Sequence, residues 1–250
     1  WIHVDNFVMN NQTATGGLNV VASATTICVG SSAVFTVTGA QTYTWNPSAT
    51  LSSANASVVT ATPPVTTTYS VTGSSGGCIY TGSITLNVIP PPVVTVGPTT
   101  SSVCLGSTVC LTAVGATSYT WTPAIGLNTT TGNIVLASPP STTSYTVIGG
   151  AGTCTSSAVS VVNVIPNPNI LITPSPTSVC IGSSATLTAT GATTYTWNTS
   201  AISPSIVVTP TTNTTYSLIG TNAATGCTNT ASSLLTVVPL PIPNANSNSA

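Results

Sequence analysis

The stretch SVCLGSTVCLTAVGATSYTW, Ser102–Trp121, decides the fold because it occurs three times. TICVGSSAVFTVTGAQTYTW precedes it at Thr26–Trp45, and SVCIGSSATLTATGATTYTW follows at Ser178–Trp197. Trp45, Trp121 and Trp197 lie 76 residues apart in both intervals, as do Cys28, Cys104 and Cys180, and Tyr43, Tyr119 and Tyr195. A second landmark follows each copy: TTTYSVTG (Thr66–Gly73), TTSYTVIGG (Thr142–Gly150) and NTTYSLIG (Asn213–Gly220). These carry Tyr69, Tyr145 and Tyr216, and a cysteine comes after each, at Cys78, Cys154 and Cys227. An apolar run ending in proline closes each copy: SITLNVIP, VSVVNVIP and SSLLTVVP. The unchanged order of landmarks defines tandem modules at 22–90, 91–166 and 167–239.

The period is too long for a solenoid repeat and suits a small β-sandwich. In the middle module the pattern predicts strands near Val93–Val96, Thr108–Val114, Ser118–Thr122, Asn133–Ala137, Thr143–Ile148 and Ser157–Ile165. Alternation in SATLTATG puts Ala185, Leu187 and Ala189 on one face and Thr186, Thr188 and Thr190 on the other. The same alternation places Tyr43 and Trp45 together, facing inward, with Thr42 and Thr44 opposite. Tyr43, Trp45, Tyr69, Tyr119, Trp121, Tyr145, Tyr195, Trp197 and Tyr216 are the expected core aromatics. Apolar periodicity of 3.6 is absent, so no helix is expected. The expected fold is all-β, with three tandem immunoglobulin-like β-sandwich modules in a rod.

Composition restricts function sharply. The 250 residues include no Lys or Arg, one acidic residue (Asp5) and one histidine (His3). Without basic side chains there is nothing to neutralise phosphates, which argues against nucleic-acid binding. Ser, Thr, Asn, Gly or Pro interrupts every apolar run before eighteen residues, so no membrane-spanning helix is expected. No signal peptide is visible, and the N-terminus reads as a processed end or a cut through a longer chain. Hydroxyls and amides must hydrate the surface, and a near-neutral surface resists association poorly.

The modules resemble the immunoglobulin-like and PKD-like repeats of secreted Bacteroidetes surface proteins, including gliding-motility-associated adhesins. C-x-G-S (Cys28–Ser31, Cys104–Ser107, Cys180–Ser183), G-A-x-x-Y-x-W, T-T-x-Y and the following cysteine carry the resemblance. It covers about nine-tenths of the chain and implies a secreted, extracellular or cell-surface protein. It implies no ligand.

Six of the seven cysteines fall into two classes, three before the second strand and three at the last hairpin. Regular placement in a β-rich chain points to disulfides and an oxidising compartment. Two connectivities are open. Pairing within modules joins Cys28 to Cys78, Cys104 to Cys154 and Cys180 to Cys227. In an immunoglobulin-type Greek key those positions lie at opposite poles, separated by a strand of roughly 23 Å, beyond the roughly 7 Å a disulfide allows. Pairing between modules joins Cys28 to Cys154 and Cys104 to Cys227. Cys78 and Cys180 then remain for neighbouring subunits. The linkers VIPPPVV and VIPNPNI are short and proline-containing, which favours stiff abutment. Cys110 aligns with Val34 and Thr186; it reads as a small half-buried apolar residue or as an intermolecular thiol.

Little chemistry is available. His3 and Asp5 would share one strand face near a terminus, an arrangement that argues against orienting a third residue for a catalytic triad. Paired carboxylates are impossible with one acidic residue. No C-x-x-C pair or acidic cluster suggests zinc or calcium, so neither cofactor nor metal is expected. Sequons occur at Asn11, Asn55, Asn128, Asn198 and Asn213, as chance allows in a Thr/Ser-rich chain. Residues 1–21 form no module: GLNVVAS (Gly17–Ser23) resembles the closing strand and reads as the tail of an upstream module or as a donor strand. Trp1, Ile2, Val4, Phe7 and Val8 are the donor-strand candidates, each gaining about 1.5–3 kcal/mol on burial. Residues 240–250 read as a polar tail or linker.

The expected function is structural and non-catalytic: a filament or adhesin stalk whose partners are further copies or other modules of the same surface protein. The alternative is a carbohydrate-binding surface module, which would need exposed aromatics. Tyr80 is the main aromatic outside the repeated positions.

Overall fold

In the computed structural model residues 17–239 are described, and all their regular structure is β-strand. Each copy contributes seven strands. The first has β1 (Asn19–Ala22), β2 (Thr26–Cys28), β3 (Ala33–Thr38), β4 (Thr42–Asn46), β5 (Val58–Ala61), β6 (Thr67–Ser75) and β7 (Cys78–Ile89). The second has β8 (Thr95–Gly97), β9 (Thr100–Cys104), β10 (Val109–Val114), β11 (Ser118–Thr122), β12 (Ile134–Ala137), β13 (Thr143–Ala151) and β14 (Cys154–Ile165). The third has β15 (Leu171–Ser175), β16 (Ser178–Cys180), β17 (Ala185–Thr190), β18 (Thr194–Trp197), β19 (Ser205–Val208), β20 (Thr214–Thr221) and β21 (Thr228–Val238).

Every copy forms the same two sheets. The orders are β1-β3-β5 with β2-β7-β6-β4, β12-β10-β8 with β11-β13-β14-β9, and β15-β17-β19 with β16-β21-β20-β18. A three-stranded sheet set beside a four-stranded one, with the short second strand joined to the last, is an immunoglobulin-like arrangement. The chain is therefore built of tandem immunoglobulin-like β-sandwiches.

By packing, the described residues form two compact units. One runs to Thr95 and adds Val114–Tyr119 and Ile148–Ser157; the other holds Val96–Ala113, Thr120–Val147 and the residues from Ala158 onward. The division cuts through the middle copy. The first unit thus takes in the hairpin tip of that copy.

Alternation produces the cores. In β3 and β17 every second residue is buried and the rest are exposed. Ala185, Leu187 and Ala189 face inward while Thr186, Thr188 and Thr190 stay wet. In the first unit Phe35 centres the core, its ring 5.8 Å from that of Trp45 and 5.3 Å, edge-on, from that of Tyr69. Such contacts add to the area term of burying large rings. At the β6–β7 hairpin Gly76 and Gly77 both have positive φ, 59° and 83°. A two-residue turn of that hand matches strand twist, and glycine takes it without steric cost.

Three expectations change. β1 pairs antiparallel with β3 from Asn19↔Thr38 to Ala22↔Phe35, and Leu18 and Val20 pack on the first core. Gly17–Ser23 therefore opens the first sandwich, and the boundary at 22 falls inside a paired strand. The likeness to the closing strand is one of apolar alternation alone: β1 is a four-residue edge strand, whereas the closing run belongs to twelve-residue β7, flanked by β2 and β6. The strands β2, β9 and β16 were not expected; with three to five residues each they are too short for periodicity to register. Cys110 is exposed, paired in register with Leu136, and is not half-buried. The candidates Trp1, Ile2, Val4, Phe7 and Val8, together with His3, Asp5 and the tail 240–250, lie outside the described residues.

Candidate functional site

The cysteine positions follow from one local feature. β2 runs parallel to β7, with Cys28 opposite Ile89, the last residue of the twelve-residue β7. Cys78 is the first residue of that strand. Eleven strand steps separate the two levels, about 36 Å. The cysteines of one copy therefore sit at opposite ends of a sheet and cannot meet. β9 and β16 repeat the geometry, with Cys104 opposite Ile165 and Cys180 opposite Val238. A tight turn follows each cysteine: the amides of Ser31, Ser107 and Ser183 donate to the carbonyls of Cys28, Cys104 and Cys180, each at 2.9 Å.

The structure pairs Cys28 with Cys154 and Cys104 with Cys227. Both pairs have Cα atoms 5.5 Å apart and cross from one copy to the next. Each falls within a single compact unit. Cys154 and Cys227 are almost fully covered, at 0% and 1% exposure. Beside the second bond the Asn167 side-chain amide donates to the Leu105 carbonyl at 3.2 Å, and that of Asn229 to Pro168 at 3.0 Å. Cys78, Cys110 and Cys180 are free and exposed.

The repeated aromatics are structural fittings. Trp45, Trp121 and Trp197 are each 2% exposed, and their indole N–H groups donate to the carbonyls of Ala56, Gly132 and Ser203 at 3.0, 2.9 and 2.9 Å. Tyr69, Tyr145 and Tyr216 are also buried. Tyr195 is buried, whereas Tyr43 and Tyr119 are half-buried, at the margin of the core rather than inside it. G-A-x-x-Y fixes the ring in all three copies. The tyrosine hydroxyl accepts from the amide of Ala40, Ala116 or Ala192 and donates to the same residue's carbonyl, at 2.8–3.0 Å throughout. Replacing Tyr119 with Phe strands both backbone groups of Ala116. The expected loss is about 1–3 kcal/mol, read as a lowered urea midpoint, with secondary structure unchanged.

Surface groups offer little for catalysis or ligand capture. Among the described residues no group of three His, Cys, Asp or Glu approaches metal-binding geometry. No aromatic ring among them reaches full exposure; Tyr80 is half-buried. An open cleft of about 330 Å³ on the third copy is lined by Trp197, Asn198, Ser217 and Thr230 among others, without an acid or base. Three sequon asparagines serve the backbone: the side-chain oxygens of Asn128, Asn198 and Asn213 accept from the amides of Leu136, Ser217 and Val237. No helix among the described residues is long and apolar enough to cross a membrane.

The described residues carry no Asp, Glu, His, Lys or Arg, so folding stability should be nearly flat between about pH 5 and pH 8. Tyr145 sets the alkaline limit. Burial holds its hydroxyl above the ordinary value of 10.0, and it donates to Ile125 at 2.6 Å. The unfolded chain releases that proton first. The stability is thus complete below pH 10 and is lost as pH climbs from there through the folded value. Thermal melts across this range check it, and Tyr145→Phe should soften the alkaline fall.

No protein-family model matches the chain, and no curated protein does. Among solved structures the chain is similar to an I-band fragment of titin, at 13% identity and TM-score 0.43, covering 89% of this chain and 99% of that one. It is also similar to three N-terminal domains of the Highly Immunogenic Outer Capsid protein of bacteriophage RB49, at 14% identity and TM-score 0.37, covering 90% and 99%. Against the N-terminal eight Ig domains of Down Syndrome Cell Adhesion Molecule the figures are 13% and 0.37, and the chain spans 37% of that longer structure.

Proposed function

We propose that this is a secreted, non-catalytic structural protein of the cell surface, acting as a filament or adhesin stalk built from three modules. The two disulfides between consecutive copies carry the reading. A bond from one sandwich to the next adds nothing to a binding pocket or an active site, but it resists separation of the copies under load. Disulfides of this regularity belong to oxidising, extracellular surroundings. The uncharged Thr- and Ser-rich exterior suits packing against like surfaces, with little repulsion to overcome. Lack of Lys and Arg leaves no site for trypsin-like proteases, which fits exposure outside the cell. No observation favours the carbohydrate-binding alternative, which requires an aromatic platform.

Electron microscopy of the purified protein, with and without reductant, tests the reading, alongside adhesion to abiotic and cell surfaces. Filaments or surface attachment are expected. A monodisperse monomer that neither assembles nor adheres in either condition, or turnover of any substrate, overturns it.

A further inference from the structure

The two bonded junctions are repeats of one another, and the chain carries each half of a third, unpaired. Cys180 ends β16 opposite Val238, followed by the same turn that follows Cys28 and Cys104. It has the position of the first partner in both bonds. Cys78 opens β7 as Cys154 opens β14, opposite Ser75 across the hairpin. It has the position of the second partner. The bonded hairpin cysteines are covered, whereas Cys78 is exposed, as is its neighbour Ile79 at 72%. Cys180 is exposed as well.

We propose that Cys180 of one molecule bonds Cys78 of a second copy, joining chains head to tail through a third junction of the same form. This rests on the assembly reading above and names its partner and its chemistry. A second copy fits because it presents the complementary half-junction, already demonstrated twice between neighbouring sandwiches of this chain. Among the described residues no charged side chain opposes the approach. The reaction is a two-electron oxidation. A small disulfide of the oxidised glutathione class is attacked by one thiolate, releasing one glutathione thiol. The second cysteine's thiolate then displaces the other glutathione as the protein S–S bond forms. Both protein thiol protons leave to solvent or to the departing thiolates. Cys110 lies on a sheet face, opposite Leu136, and takes no part.

The test uses the full chain with Cys110→Ser, oxidised by glutathione disulfide and run on non-reducing gels. A ladder of multimers is expected, and chymotryptic mapping should recover a peptide linking Cys78 to Cys180. Adding Cys78→Ser or Cys180→Ser should each abolish every band above monomer. An equimolar mixture of the two variants should form dimers and nothing larger, since one usable half-junction remains on each. Recovery of the Cys28–Cys154 and Cys104–Cys227 peptides from both variants shows that they fold. Dimers as abundant from either variant alone as from the mixture overturn the proposal, as does an intrachain Cys78–Cys180 bond. Filaments in which both thiols stay open to iodoacetamide also overturn it, and leave the filament reading standing; absence of any assembly overturns it too, and defeats the functional reading itself only where surface attachment is absent as well.

Discussion

Trp45→Ala should unfold the first sandwich. Burying a tryptophan this completely makes its removal worth about 3–5 kcal/mol. A sandwich of roughly seventy residues has only about 3.5–10 kcal/mol to lose. The ring is 2% exposed, stacks on Phe35 at 5.8 Å and donates to the Ala56 carbonyl at 3.0 Å. Alanine leaves a cavity against Phe35 and a carbonyl without its donor, and these penalties add. The expected result is chymotryptic cleavage confined to the first copy, with Trp121 and Trp197 still reporting native fluorescence. A single melt within about 1 kcal/mol of the parent would show that the tryptophan is not a core residue in the sense argued.

Gly191→Ala should be nearly as severe, for a different reason. Gly191 has φ +94°, and a Cβ there would lie 1.9 Å from the Asn169 carbonyl oxygen and 2.8 Å from its carbon. Backbone cannot rotate aside as a side chain can. The left-handed conformation alone costs about 1–2 kcal/mol; displacing the chain that leads into β15 brings the expected loss to about 3–5 kcal/mol. Gly182 is the control. Its φ is +77°, but nothing lies within 4 Å of an added Cβ. Gly182→Ala should therefore show the conformational cost alone. Equal urea midpoints for the two variants would mean that the close approach to Asn169 does not exist in solution.

These two sites differ in how they could be read beforehand. Trp45 was legible: its period, its alternation with Thr44 and its place beside Tyr43 all put it inward. Gly191 was visible only as the repeated G-A before a tyrosine. The crossing of the Asn169 backbone cannot be derived from spacing, because it depends on a segment brought in from elsewhere. The two hydrogen bonds between the Tyr195 hydroxyl and Ala192 are local, three residues apart, but rest on a turn geometry that residue types alone do not show. Nor does alternation show how deep a ring sits: Tyr43 and Tyr119 stop at the core margin, while Tyr195, with the same hydrogen bonds, is buried. The half-buried reading of Cys110 failed because alternation names the face a residue occupies without saying whether anything covers that face.

The sequence by itself determined the repeat, the all-β character, the inward tryptophans and the near absence of ionisable chemistry. Each is local or periodic, and a 76-residue spacing survives any arrangement of the copies in space. Which cysteines pair was decided by the tertiary structure. Three residues, Thr26–Cys28, lie parallel to the end of β7 and carry Cys28 to the pole that faces the next copy. So short a strand has no period of its own; its partner exists only once the sandwich has closed, and with it the distance that forbids one pairing and permits the other.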